Sequence, residues 1–134
     1  METLYDGEFL SICKSDIKGC LEATRKKEFL SKEHFRIALE EVIHQVSLTG
    51  SDKLIGIAEL LRIVPDAHAI PTEAIPCLSV EGVKTIAIVI GKERNIQENQ
   101  AIFDRRLGWN TKISKITIKL FQTIEEAREW IKSF

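Results

Sequence analysis

The stretch SKITIKLFQTIEEAREWIKSF, residues 114–134, holds the clearest evidence for the fold. Apolar and polar residues alternate within residues 114–121, which is the pattern of a strand with one buried face. The motif TIEE at residues 123–126 is a capping box, in which Thr123 caps a helix and Glu126 lies three residues further on. One face of that helix is apolar and comprises Ala127, Trp130, Ile131 and Phe134. We therefore predict a strand followed by an amphipathic helix.

Upstream of this stretch, predicted strands and helices alternate along the chain. A hairpin comes first, because two short alternating segments flank the turn signal Ser15-Asp16. In order, the predicted elements are strands over residues 7–14 and 17–26, a helix from Ser31 to Gly50, a strand over 53–61, a helix over 73–80, a strand over 84–90, a helix from Asn95 to Gly108, and the C-terminal pair. This order predicts a single α/β domain over residues 1–134, with a mixed, mostly parallel sheet of about five strands and covering helices.

The starts of the predicted helices carry their own signals. Ser31 is a predicted N-cap. Thr72 is predicted to cap the second helix, which has Pro76 near its first turn. Asn95 and Glu98 have the spacing of a capping box. The first helix has one apolar face, made of Phe35, Ala38, Leu39, Val42, Ile43 and Val46.

Composition limits the classes of function. The chain has 134 residues, of which 44% are hydrophobic and 29% charged, as in an ordinary globular domain. Its formal net charge of -1 and pI near 6.3 argue against a nucleic-acid partner, because nucleic-acid binding usually shows a strongly basic face. The chain shows no basic region followed by an apolar run, which is the pattern of a secretory signal. No apolar stretch reaches the length of about 20 residues that a membrane-spanning helix needs. We expect a cytoplasmic protein.

The residue types used in catalysis and metal binding are sparse and badly spaced. His34, His44 and His68 lack ligand-like partners, and the cysteines Cys13, Cys20 and Cys77 have no zinc-finger spacing, so we interpret all three cysteines as buried, reduced thiols. The chain has no GxSxG, GxGxxG or P-loop motif. We expect no catalytic residue, no metal and no cofactor.

Two polar segments leave an alternative open. Residues 91–95 follow a strand and precede a helix, so their backbone N–H groups could hold an anion, although a plain polar loop explains them as well. The basic run Arg25 to Lys27 and the pair Arg105-Arg106 could meet acidic lipid headgroups. We favour solvated surface for both, because charge runs usually lie in solvent.

The segment over residues 60–78 is unusually apolar for a strand exit and a short helix. If part of its surface stays open, it is a site for a nonpolar ligand or a partner, whereas inward packing would make it ordinary core. We expect a binding role for this segment. The predicted ligand-binding residues are Leu60, Leu61, Ile63, Ile70, Ile75 and Leu78.

Two segments resemble one family. They are IPCLSVEGVKTIAIVIGK at residues 75–92, and the strand and T-x-E-E-A-x-x-W helix at residues 116–134. Together with the order of elements, they resemble the SpoIIAA-like branch of the STAS superfamily (sulfate transporter and anti-sigma-factor antagonist domains). The resemblance implies a sheet of four to five strands with helices mainly on one side, related to CRAL-TRIO lipid-binding domains. It also implies a non-enzymatic role.

Anti-sigma-factor antagonists of this superfamily carry a phosphorylatable serine near the helix after the third strand. The corresponding residues 58–72 contain no serine, and Thr72 is their only hydroxyl. The resemblance to the SpoIIAA-like branch instead implies binding of nonpolar or lipid-like ligands and association with the membrane periphery. The predicted function is a non-catalytic cytoplasmic binding or regulatory module of that kind. One alternative is a protein–protein regulatory module that lacks the usual phosphoserine, with Thr72 as the candidate phosphorylation site. Another alternative is an unrecognised small enzyme. A regulatory protein and a second copy of the chain are both open as partners.

Overall fold

The structure is a computed structural model that describes residues 1–27, 32–58, 74–92, 96–98, 100–101 and 116–134. One sheet of six strands runs through this part of the chain. The elements are β1 (Glu2–Asp6), β2 (Leu10–Lys14), β3 (Cys20–Arg25), α1 (Lys32–Thr49), β4 (Lys53–Ile57), α2 (Ile75–Val80), β5 (Thr85–Val89), β6 (Thr117–Phe121) and α3 (Ile124–Ile131). Residues 96–98, 100 and 101 are also helical.

The strands lie in the sheet in the order in which they occur along the chain. β1, β2 and β3 pair antiparallel, while β3, β4, β5 and β6 pair parallel. The predicted α/β class and mixed sheet are confirmed, but the sheet has six strands where we expected about five. The additional strand is β1, an edge strand with no buried residue and an irregularity between Thr3 and Tyr5. Its sequence, ETLYD, has none of the alternation that marks a half-buried strand.

The order of the parallel strands determines which face of the sheet the helices cover. Each parallel strand is added beside the previous one, and right-handed crossovers then place every connection on the same face. α1 and α2 accordingly pack on one face, in a core that includes Leu54, Ile86 and Ile88 of the sheet. α3 packs on the opposite face, where a second core forms around Ile55, Val89 and the buried helix residues Ala127 and Ile131.

The two best-marked helices lie where the sequence predicts them. The predicted apolar face of α1 packs into the first core, and the helix ends before Gly50, whose positive φ of 66° suits glycine. In α3 the Thr123 hydroxyl oxygen accepts a hydrogen bond from the backbone N–H of Glu126 at 3.3 Å and donates one to its carboxylate at 2.9 Å. The cap is confirmed. Phe134 belongs to the predicted apolar face but is 55% exposed, and it contacts the ring of Trp130.

The other predicted caps are not described by the structure. The described part of α2 begins at Ile75 after Ala74, which provides no side-chain cap, and Pro76 lies in the first turn as expected. Ser31, Thr72, Asn95 and Gly108 lie outside the described residues, so their capping roles stay predictions.

Candidate functional site

An apolar cavity of about 140 Å³ lies between the sheet and the helices α1 and α2. Its floor is formed by strand residues that include Leu10, Ala23, Leu54, Gly56, Ile86 and Ile88. Its helical wall includes Phe35, Ala38, Leu39, Val42, Ala74 and Leu78. Apart from Arg25, every described residue that lines the cavity is apolar.

Small residues at the centre of the sheet explain why space remains there. In one row across the strands, Ala23 of β3 pairs with Gly56 of β4, which pairs with Ile88 of β5. Side chains of such a row lie on the same face of the sheet. The row therefore carries only a methyl group at Ala23 and no side chain at Gly56. Across the cavity, α1 and α2 contribute the small residues Ala38 and Ala74. Since small residues face each other across the sheet–helix interface, the two layers leave a gap.

Gly56 is the most informative residue of the cavity. A Cβ atom built on Gly56 would meet no other atom within 4 Å, so no close approach of the protein requires glycine there. Glycine in the interior of a strand destabilises by roughly 0.5–1 kcal/mol relative to alanine. A glycine in a strand often marks a place where something else approaches the backbone. Gly56 is not among the residues predicted from the sequence to bind a ligand, although its position inside the apolar run KLIGI is a local signal.

Arg25 is the one charged residue among the described residues that line the cavity. It is the last residue of β3, and its Nε atom is buried. The next two residues of the basic run lie differently, because Lys26 forms an ion pair with Asp6 and Lys27 forms one with Glu8 on the exposed surface. The prediction that the whole run RKK is solvated surface is therefore wrong for Arg25, which lines the cavity, whereas Lys26 and Lys27 lie on the exposed surface.

The structure places two of the six predicted ligand-binding residues at this cavity. Ile75 is fully buried and Leu78 nearly so, and both line it. Leu60, Leu61, Ile63 and Ile70 lie outside the described residues, as does the candidate phosphorylation site Thr72. Ala58 and Ala74, which flank residues 59–73 on either side, both line the cavity.

The cysteines differ from the interpretation of three buried thiols. Only Cys20 is buried, whereas Cys13 is half-buried and Cys77 is exposed. Cys77 lies on α2 beside Leu78, but it points to the solvent side of that helix, so it adds nothing to the core. Burial raises the pKa of the Cys20 thiol to about 12, an effect that the neighbouring Glu22 carboxylate reinforces.

The histidines in the described part of the chain are separate from one another and from the cavity lining. The ring of His34 packs against the ring of Phe9 at 4.5 Å between centroids, and His44 is exposed. His68 lies outside the described residues. Within the residues that the structure describes, no three acidic, histidine or cysteine side chains are grouped as a metal site would require.

An ion pair between a buried carboxylate and a partly exposed arginine lies on the opposite face of the sheet. Glu22 of β3 is 3% exposed, and its two carboxylate oxygens accept hydrogen bonds from Nε and an Nη of Arg128 at 3.0 and 2.8 Å. The Ser15 hydroxyl donates a further bond to Glu22 at 2.9 Å. Hydrogen bonding to Glu22 raises the pKa of Arg128. Because every group here has a partner within the protein, this pair anchors α3 to the sheet and is not a ligand site.

Comparison of the chain with protein-family models, curated proteins and solved structures found no match. The site must therefore be interpreted from its own chemistry. None of the helices in the described ranges has the length and apolar content needed to cross a bilayer.

Proposed function

We propose that this chain is a non-catalytic binding module that holds a nonpolar or lipid-like ligand between its sheet and the helices α1 and α2. The observation that carries the proposal is the apolar cavity whose lining includes Gly56, where a Cβ atom would meet no other atom within 4 Å. Ligand pockets are typically concave and lined mostly by apolar side chains, with few polar groups that fix orientation.

The physical argument rests on packing. Protein interiors are normally as dense as organic crystals, and an apolar gap destabilises the fold in proportion to its volume. A ligand that fills such a gap regains dispersion contacts and removes its own apolar surface from water. An apolar cavity of on the order of 150 Å³ can bind a molecule as small as benzene. The cavity therefore suits one ring or one short hydrocarbon chain.

The proposal extends to family and location. The antiparallel start, the parallel strands that follow in sequence order, and the strand–helix ending support a SpoIIAA-like domain of the STAS superfamily. We place this module in the cytoplasm, where it reaches lipid-like ligands at the membrane periphery. The alternative of a protein–protein switch through Thr72 stays a prediction, because that residue lies outside the described chain.

A cavity-filling variant tests the proposal. Gly56→Val adds three carbon atoms above the floor of the cavity, and Leu48→Ala serves as control because Leu48 is a 68% exposed residue of α1 outside the lining. We expect the wild type and L48A to bind an uncharged apolar probe, octan-1-ol, in isothermal titration calorimetry. G56V should bind it at least about tenfold more weakly, because several buried CH₂ contacts are lost.

Native mass spectrometry of protein purified from its expression host gives a second readout. We expect a small apolar adduct on the wild type that is reduced on G56V. If octan-1-ol does not bind and no adduct is found, the proposed function is wrong. Equal affinity of the wild type and G56V would place any binding elsewhere on the protein.

A further inference from the structure

The sheet surface beneath the cavity has the shape of a compact hole. Its two smallest residues, Ala23 and Gly56, lie side by side on neighbouring strands that are about 5 Å apart. Their row continues into larger side chains at both ends, because Ile12 pairs with Ala23 and Ile88 pairs with Gly56. Two residues earlier along the strands, the next row on the same face consists of Leu21, Leu54 and Ile86. Branched aliphatic side chains therefore bound the hole on three sides.

The surroundings of this hole offer a ligand almost no hydrogen-bonding group. Among the described residues that line the cavity, Arg25 alone has a polar side chain, and it already has an interaction within the protein. The backbone N–H and C=O groups of β4 are used in the ladders to β3 and β5, and those in the interior of α1 are used within the helix. A polar ligand atom in the hole would therefore lose its hydrogen bonds to water without replacement.

This loss decides between ligands of equal size. Burying a hydroxyl group without a partner is unfavourable, and burying an unpaired charge is much more so. A methyl or methylene group has no such penalty, and it gains free energy by leaving water and by dispersion contacts with the lining. The cavity should therefore bind a hydrocarbon more tightly than an alcohol, an acid or an amine of the same shape.

The volume of the cavity sets the size of the ligand. It is about 140 Å³, and an apolar cavity of on the order of 150 Å³ holds one benzene molecule. A six-carbon ring is compact in the plane of the hole, whereas an extended six-carbon chain is longer and thinner. Because the hole is bounded on three sides, the ring makes contact with more of the surrounding side chains.

We infer that the ligand is an uncharged hydrocarbon without hydrogen-bonding groups, of the size of one six-membered ring, which lies above Ala23 and Gly56. This inference rests on the proposed function and narrows its ligand class. It excludes amphiphilic ligands whose polar group would enter the cavity, and it makes the absence of polar partners in the described lining the basis of selectivity.

Titration calorimetry with toluene and phenol tests the inference. The two probes have the same ring and the same number of non-hydrogen atoms, and they differ only in a methyl group that replaces a hydroxyl group. We expect the wild type to bind toluene at least about tenfold more tightly than phenol, because the phenol hydroxyl would be buried without a partner. Gly56→Val should weaken toluene binding at least about tenfold, and the exposed control Leu48→Ala should leave it unchanged.

Methyl NMR of the wild type locates the ring even if G56V does not fold. The ring current of toluene shifts the resonances of methyl groups that it contacts. We expect toluene to shift the methyl resonances of Leu54, Ile86 and Ile88, which line the cavity, and to leave those of the exposed Leu48 unchanged. Shifts confined to methyl groups outside the lining would overturn the placement above Ala23 and Gly56.

The outcomes separate this inference from the proposed function. Phenol that binds as tightly as toluene would show that a polar group of the protein reaches the ligand, which overturns the inference and leaves the binding site in place. Binding of octan-1-ol without binding of toluene would also overturn it, in favour of a chain. Failure of toluene, phenol and octan-1-ol alike would overturn both the inference and the proposed function.

Discussion

At the scale of single residues, the pair Glu22–Arg128 shows how a buried carboxylate can be kept charged by a partly exposed arginine. Glu22 accepts from Arg128 through both carboxylate oxygens and from the Ser15 hydroxyl. Buried charges need such complete pairing, because removing one partner leaves the other without compensation. The pair joins β3 to α3, 106 residues apart in sequence.

The variant Arg128→Met tests the importance of this pair. It leaves Glu22 with only the Ser15 hydroxyl, so we expect the free energy of unfolding to fall by about 2–4 kcal/mol in urea denaturation. Lys132→Met is the control, since Lys132 is an exposed residue just after α3 that pairs only with exposed Glu129. K132M should change stability by less than about 0.5 kcal/mol. Equal effects of the two substitutions would contradict the anchoring role.

Cys20 predicts a dependence of stability on alkaline pH. Its pKa is raised from an ordinary value of 9.0 to about 12, mainly by burial. The folded protein therefore binds this proton more tightly than the unfolded chain does, so the contribution is complete below pH 9 and is lost between about pH 9 and 12. We expect the free energy of unfolding of the wild type, relative to Cys20→Ala, to decrease by roughly 1 kcal/mol per pH unit in that window. A difference that stays constant from pH 8 to pH 11 would refute this.

The sequence predicts some residues of the candidate site but not others. Ile75 and Leu78 were predicted because they belong to an apolar segment, a local property. Arg25 was visible as part of a basic run, but its separation from the two lysines depends on strand alternation and on carboxylates from β1 and the turn after it. Gly56 is informative only beside Ala23 and Ala38, and that juxtaposition comes from strand register and helix packing, which no local pattern specifies.

At the scale of elements, α3 depends on its first turn. A helix of 8 residues is short, and it gains most of its stability from packing and capping. Thr123→Ala removes both hydrogen bonds with Glu126, so we expect a loss of about 1 kcal/mol in the free energy of unfolding. Thr123→Ser keeps the hydroxyl and should retain most of the wild-type stability. Equal losses in T123A and T123S would indicate packing of the methyl group and not capping.

The elements also show which patterns predict structure well. Strands with clear alternation or a fully apolar run are predicted well. β5 lies within one residue of its predicted bounds, and β6 ends at Phe121 as predicted, although it begins at Thr117 and residues 114 and 115 lie outside the described chain. β1 was missed because an exposed edge strand receives its order from pairing with β2, and its own sequence has no buried face. The helix start predicted at Thr72 lies outside the described chain, where the structure neither supports nor corrects it.

At the scale of the whole molecule, topology positions the cavity. The alternation of strands and helices predicted a mixed sheet that is parallel in part, and right-handed connections between its parallel strands then require α1 and α2 to share one face. That reasoning predicts where helices lie but not how closely they approach the sheet. The approach is set by the side chains between the layers, and here small residues of β3, β4, α1 and α2 face one another. The cavity is thus a property of the assembled fold.

Because the cavity lies inside the first core, ligand binding should be linked to the stability of the whole domain. A ligand that binds only the folded state stabilises it by RT ln(1 + [L]/Kd), about 2.7 kcal/mol at a hundredfold excess over Kd. We expect octan-1-ol at that excess to raise the midpoint of thermal unfolding by several degrees in the wild type and in L48A.

The cavity-filled variant should behave in the opposite way. Gly56→Val removes a glycine from the interior of β4 and fills apolar space where a Cβ meets no atom within 4 Å, so we expect its unfolding midpoint without ligand to exceed that of the wild type. Octan-1-ol should then raise it little further, because the space that the chain would occupy is filled. A ligand-induced shift in G56V as large as in the wild type would mean that octan-1-ol stabilises the fold from another site. A lower midpoint in unliganded G56V would mean that the space above Gly56 is too shallow for a side chain, and hence for a hydrocarbon chain.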